Sequence, residues 1–187
     1  MYFEQVGQDN TEKCLQIAVD EAQKRGIRHL VVASTVGSTG LQAAQMTIDS
    51  DIQVIAVAHS SGHAGDSDNP GKQLMPDDTR KEIEDLGGIV FIGTDVLTGF
   101  PIGIRARGGY SEQSLIADAL RMFGQGMKVC VEIVAMATDA NLIPVDDVIS
   151  VAGTGRGADT AAVIGANSTN RFFDIKVREI LAKPKNF

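Results

Sequence analysis

The run Ala33-Ser34-Thr35-Val36-Gly37-Ser38-Thr39-Gly40 carries the strongest chemical signal in this chain. It places hydroxyls on Ser34, Thr35, Ser38 and Thr39 between an apolar run and a helix-forming one. A phosphate seated there would meet those hydroxyls, backbone N–H groups and the positive end of a helix. Gly37 and Gly40 would let the backbone approach the anion without a Cβ in the way. No Gly-Lys-Ser/Thr follows, so this is not a Walker A loop. The plainer alternative is a polar turn with a serine cap, but the hydroxyls and glycines exceed what a cap requires.

A second candidate is Gly153-Thr154-Gly155-Arg156-Gly157-Ala158-Asp159-Thr160. Gly153, Gly155 and Ala158 match the dinucleotide pattern G-x-G-x-x-G/A literally. Ala161–Ala166 reads as extended where that pattern needs a helix, and little chain follows. The run therefore reads as a flexible hairpin whose Arg156 meets a phosphate or carboxylate. A glycine-rich hairpin with a solvated arginine is the alternative.

The third candidate runs from His59 to Gly71 and includes Gly62, His63 and Gly65. His59 and His63 are four apart, but the intervening glycine opposes a helix that would aim both at one ion. No third ligand has motif spacing, so no metal site is expected. The segment reads as a lid over the ligand or as a plain polar loop. Arg105 and Arg107 beside Gly108-Gly109 suit an anion, a neighbouring subunit of a homo-oligomer, or solvent. Glu132, inside an apolar segment, is a carboxylate with scope for chemistry; pairing with Lys128 one helical turn earlier is the favoured reading. Cys14 and Cys130 read as core thiols.

Alternating strands and helices must position these loops. Asn10 or Thr11 can cap a helix to Arg25, closed by Gly26 in the left-handed conformation. Arg28–Ala33 and Ile52–Ala58 read as buried parallel strands, with a helix from Leu41 to Thr47 between them. Asp77–Leu86 forms a helix behind Pro76, and Ile89–Ile92 a third strand. Ser111 caps a helix through Phe123, and Lys128–Ala140 reads as a buried helix ended by Asn141. Asp147–Ala152 and Thr160–Ala166 are strands, followed by a short helix around Phe173–Ile180. The alternation predicts a three-layer α/β/α domain over residues 1–187 with a mostly parallel open sheet. Ligands in such sheets bind beyond the carboxyl ends of the strands.

Composition narrows the partners. The 187 residues carry 24 acidic and 17 basic side chains, a net charge of −7. That charge, the absence of a basic cluster and the lack of tryptophan argue against a nucleic-acid or anionic-membrane surface. No apolar run approaches the ~18 residues of a membrane span, and no secretory leader is visible, so a cytoplasmic location is expected. Glycine, 20 of 187 residues, lies above the average of about 7%.

The ordered set Tyr2-Phe3-Glu4 with Asn10-Thr11, His29-Leu30-Val31-Val32-Ala33-Ser34, Lys128-Val129-Cys130-Val131-Glu132, Arg156-Gly157-Ala158-Asp159-Thr160-Ala161 and Phe172-Phe173-Asp174 spans the whole chain. It resembles the stand-alone, largely archaeal proteins similar to the C-terminal alpha/beta domain of pyruvate kinase. The resemblance implies a three-layer α/β/α fold, with Ser34–Gly40 in the place of an effector-phosphate loop. It also implies that Gly153–Thr160 stands for a glycine-rich loop near that effector. It implies flavin mononucleotide (FMN) as a ligand, with a phosphate at one end and a flat ring at the other. With no indole available, the ring would rest on backbone or aliphatic groups. Pyruvate kinase activity is not implied, since its catalytic barrel alone needs about 250 residues. Two alternatives remain. One is a flavin-dependent oxidoreductase, or another small enzyme acting on a phosphorylated compound, with His59, His63 or Glu132 as acid–base candidates. The other is a sugar-phosphate-sensing module.

Overall fold

The computed structural model describes residues 1–63 and 70–187. The first half runs β1 (Tyr2–Phe3), α1 (Thr11–Arg25), β2 (His29–Ala33), α2 (Ser38–Met46), β3 (Gln53–Ala58), α3 (Asp77–Asp85) and β4 (Ile89–Ile92). The second half runs α4 (Gly99–Arg105), α5 (Glu112–Arg121), α6 (Gln125–Asp139), β5 (Asp147–Ala152), β6 (Thr160–Gly165) and β7 (Lys176–Pro184). The strands form one sheet in the order β1-β7-β6-β5-β2-β3-β4. β2 pairs in parallel with β3 and β5, as do β3 with β4 and β1 with β7. The β5–β6 and β6–β7 pairs are antiparallel.

Strand alternation sends successive side chains to opposite faces, and both faces are covered. Leu30 and Val32 of β2 pack with Cys14, Leu15 and Ala18 of α1 and Ala43 of α2. Ala56 and Ala58 of β3 continue that face onto Ala44 of α2 and Ile83 of α3. Val31, Ile55 and Val57 face the other way, onto Met127, Cys130 and Val134 of α6. The result is a three-layer α/β/α fold with a mostly parallel sheet. Each fully buried Leu, Ile or Val contributes roughly 1.5–3 kcal/mol to it. The thiols are core residues, as expected; burial pushes Cys14 well up and Cys130 up to about 12.

Several boundaries follow their predicted signals. Gly26 ends α1 at φ 67°, Ser111 caps α5 by accepting from the Ser114 N–H, and Asn141 follows α6 at φ 56°. Three elements differ from expectation. α2 begins at Ser38 rather than Leu41, so Ser38 and Thr39 lie in its first turn. α4 was not predicted, because Gly99, Pro101 and Gly103 mask it; Pro101 sits in the first turn, where a missing N–H costs no helical bond. The C-terminal helix expected around Phe173–Ile180 is instead a 3-10 segment, Thr169–Asp174, followed by β7. β6 is buried along its length, and without β7 its outer N–H and C=O groups would lack partners. That long-range need overrides the local helical pattern.

β2 is the point where the strand order reverses, since the chain proceeds from it to β3 and β4 on one side while β5 lies on the other. Crevices at such switch points are where open α/β sheets bind ligands. Among the described residues, no helix is long and apolar enough to cross a membrane.

Candidate functional site

A cavity of about 430 Å³ opens at this point, lined by Ala33 at the end of β2, Thr35 after it, His59 after β3 and Gly153 after β5. Ligand pockets typically span about 300–1,000 Å³. One wall is the first turn of α2, where Ser38 and Thr39 line the cavity. Gly37 stands just before it at φ 93°, a conformation that strains side-chain-bearing residues. Among the described residues, nothing accepts a hydrogen bond from the N–H groups of Ser38 or Thr39. Those groups are the free donors of a helix start.

The remaining residues of this loop divide between lining and bracing. Thr35 and Val36 line the cavity with Ser38 and Thr39. Ser34 is buried, and its Oγ accepts from the Gly40 N–H at 2.9 Å, so this hydroxyl is used within the protein. Gly40 serves packing: an added Cβ would lie 2.7 Å from the Ala56 Cβ and 3.1 Å from the Ser34 Oγ. Close approach of α2 to β3 is thus the reason for a glycine there.

The second loop is a braced hairpin rather than the flexible one expected. Gly153, Gly155, Arg156 and Gly157 line the cavity. Asp159 is fully buried beneath them. Its Oδ2 accepts from the Gly7 and Thr154 N–H groups, each at 3.0 Å, and its Oδ1 from the Thr160 hydroxyl at 2.8 Å. The Ala158 N–H donates to Thr11 Oγ1 at 3.0 Å, tying the hairpin to the start of α1. Thr154, Asp159 and Thr160, expected at the ligand, therefore hold the loop in place. Arg156 is exposed at the rim and forms no ion pair among the described residues.

The opposite wall comes from α4, α5 and α6. Leu97, Pro101, Ile102, Ala117 and Val129 make it partly aliphatic. Arg105, Arg121 and Lys128 add cations there, so the lining is basic although the chain carries −7. Arg107 lies outside the lining, donating to the Gly103 carbonyl at 3.4 Å. Lys128 and Glu132 pair one turn apart, as expected, with both side chains almost fully buried. Glu132 Oε1 also accepts from the Leu97 N–H at 2.7 Å and the Thr98 hydroxyl at 3.3 Å. Burial lowers the Lys128 pKa, and Glu132 opposes but does not cancel that shift.

His59 and His63 meet a partner that sequence spacing did not reveal. Asp95, just beyond β4, is 4% exposed; its Oδ1 lies 2.8 Å from His59 Nδ1 and its Oδ2 accepts from the Ser60 hydroxyl at 3.0 Å. His63 Nδ1 is 3.5 Å from Oδ2. Burial pushes the Asp95 carboxyl up, but the contacts to His59 and Ser60 outweigh it, leaving the pKa below the ordinary value. Burial, then the neighbouring His59, push His63 down. The strand-end signal that located Ser34–Gly40 and His59 applies equally to Gly93-Thr94-Asp95 and could have found this residue.

These side chains bring three donor atoms within 4.8 Å of one another, enough in number for a metal ion. The ring planes oppose that use. The imidazoles stack with centroids 3.8 Å apart and planes 8° from parallel. With parallel rings at a contact separation of about 3.5 Å, an ion midway sits about 1.7 Å out of each plane on a bond of about 2.1 Å. Ring nitrogens bind along the plane, so one ion cannot satisfy both in this arrangement. The lid expected over His59–Gly71 falls partly on residues 64–69, outside the described residues.

No protein-family model matches the chain. Among solved structures, O-ureido-L-serine synthase is similar at a TM-score of 0.32 and 19% identity, over 72% of this chain and 40% of that one. The chain thus spans less than half the length of that enzyme. A likeness at this level carries nothing about chemistry.

Proposed function

We propose that this protein binds a small molecule bearing a terminal phosphate, with FMN the expected ligand. The observation that carries the reading is the convergence of the α2 N-terminus and Arg156 on one cavity. Free N–H groups and a guanidinium together suit a phosphate, by hydrogen bonding and by charge. The aliphatic wall of Leu97, Pro101, Ile102, Ala117 and Val129 fits a flat apolar ring without needing an indole. The resemblance to the pyruvate kinase C-terminal domain points the same way, and with it we propose a cytoplasmic protein with neither nucleic acid nor membrane as partner. Fluorescence titration with FMN, with riboflavin as the phosphate-free control, tests the reading. FMN should bind at least tenfold more tightly, and at 100 times its Kd should stabilise the fold by about 2.7 kcal/mol. Equal affinity for riboflavin overturns the phosphate part of the reading, and no binding of either overturns the flavin assignment.

One feature favours a second reading, a phosphorylated sugar-like compound. Arg105, Arg121 and Lys128 line the cavity together with Arg156, more cationic character than an apolar ring requires. Thermal stabilisation by sugar phosphates without FMN binding would select it.

A further inference from the structure

We propose that His59, oriented by Asp95, is the acid–base catalyst of this cavity, and that its substrate is a phosphorylated hydroxy-carbonyl compound. The inference rests on the phosphate-binding part of the function proposed above, not on flavin. With His59 Nδ1 held at 2.8 Å by a buried carboxylate, the ring has one orientation and one favoured tautomer. Nε2 then has no hydrogen-bond partner among the described residues, on a side chain that lines the cavity. A base held by an orienting carboxylate beside a ligand site is the arrangement proton transfer requires. Ser60 holds the second carboxylate oxygen at 3.0 Å, and the Gln73 amide donates to the His59 carbonyl at 3.0 Å. The base is therefore fixed through both its side chain and its backbone. His63, stacked on His59, covers one ring face.

The remaining lining limits the chemistry. His59 Nε2 takes the proton from the carbon beside a ligand carbonyl. The electron pair of the broken C–H bond moves into the carbon framework and onto the carbonyl oxygen, giving an enediolate. Of the cations in the lining, Arg121 pairs with Asp118 and Lys128 with Glu132, whereas Arg105 forms no ion pair among the described residues and suits that developing negative oxygen. Return of the proton to the same carbon restores the substrate and neutral His59; return to the adjacent carbon gives the isomeric carbonyl compound once the neighbouring hydroxyl proton has passed to the enediolate oxygen. No oxidant, reductant or second substrate is consumed. Among the described residues, the charged and titratable groups around His59 are Asp95, His63, and the Lys128–Glu132 pair of α6 in the same lining.

Solvent exchange reads this step directly. The protein is incubated in D2O with dihydroxyacetone phosphate or fructose 6-phosphate, with dihydroxyacetone as the phosphate-free control. Deuterium should enter the carbon beside the carbonyl of at least one phosphorylated probe, well above a protein-free control. His59→Gln should lower the rate by about 100-fold or more. This side chain is about one-third exposed, so the variant is expected to fold; circular dichroism checks it. Asp95→Asn should lower the exchange rate less than His59→Gln and leave the thermal shift given by the bound probe unchanged, so that the loss falls on the rate and not on binding. A purely structural Asp95 would lose binding and rate together. The inference is overturned if the probes stabilise the protein but take up no deuterium, or if His59→Gln exchanges at the parent rate. Exchange abolished by a chelator and restored by Zn²⁺ would replace the dyad with a metal centre and also overturn it. If neither FMN nor any phosphorylated probe raises the melting temperature, the phosphate reading itself has failed, and this inference falls with it.

Discussion

The two glycine-rich loops at the carboxyl edge of the sheet look alike in sequence and differ in how their backbone is used. The loop before α2 leaves the Ser38 and Thr39 N–H groups without partners among the described residues, at the start of a helix. In the β5–β6 hairpin, Asp159 accepts from the Thr154 N–H and from Gly7 across the chain. A buried carboxylate already occupies, in effect, the anion position of the second loop. An anion-binding loop is thus distinguished from an anion-containing one by who answers its N–H groups. Arg156 is what the braced loop contributes to the cavity, and bracing holds it near α2.

Asp159 is the side chain on which the difference between the two loops depends most. Asp159→Ala should cost on the order of 3 kcal/mol in urea unfolding, because the half-buried N–H groups of Gly7 and Thr154 and the buried Thr160 hydroxyl lose their acceptor together. A loss near zero would mean that the hairpin is not held from within. Gly40→Ala comes next, at about 1–3 kcal/mol, since its Cβ would overlap Ala56 across the α2–β3 contact. Mild loss of stability with full ligand binding would confirm packing as the role of that glycine. Arg156→Ala should leave stability within about 0.5 kcal/mol and weaken FMN about tenfold, or about 1.4 kcal/mol. Isothermal titration at two salt concentrations measures this, and unchanged affinity would remove the hairpin from the site. Ser38→Ala should have the smallest effect, roughly threefold or about 0.7 kcal/mol in affinity, because the backbone donors remain.

Legibility in the sequence followed the range of the interaction. The helix ends at Gly26 and Asn141 and the cap at Ser111 were readable because each depends on a few neighbouring residues. The i,i+4 pair Lys128–Glu132 was readable for the same reason. β7 was not, because it exists to satisfy the otherwise open edge of β6. Asp95 was not, since β3 and β4 must pair before it can reach His59, 36 residues earlier in the chain. Ser34, Gly40 and Asp159 stand out in the sequence as chemically marked residues, and their identity as braces shows only in their contacts.

Local chemistry by itself determined the alternating elements, the apolar strands buried on both faces and the three strand-end loops rich in glycine and hydroxyls. Backbone preference, side-chain periodicity and capping act over a few residues, so they are written in the sequence. Tertiary structure alone decided which donors in those loops stay open, which carboxylate meets the histidines and which cations line the cavity. Hydrogen bonds and ion pairs are satisfied by whichever group the fold brings within about 3 Å, and that choice is made only when the sheet assembles.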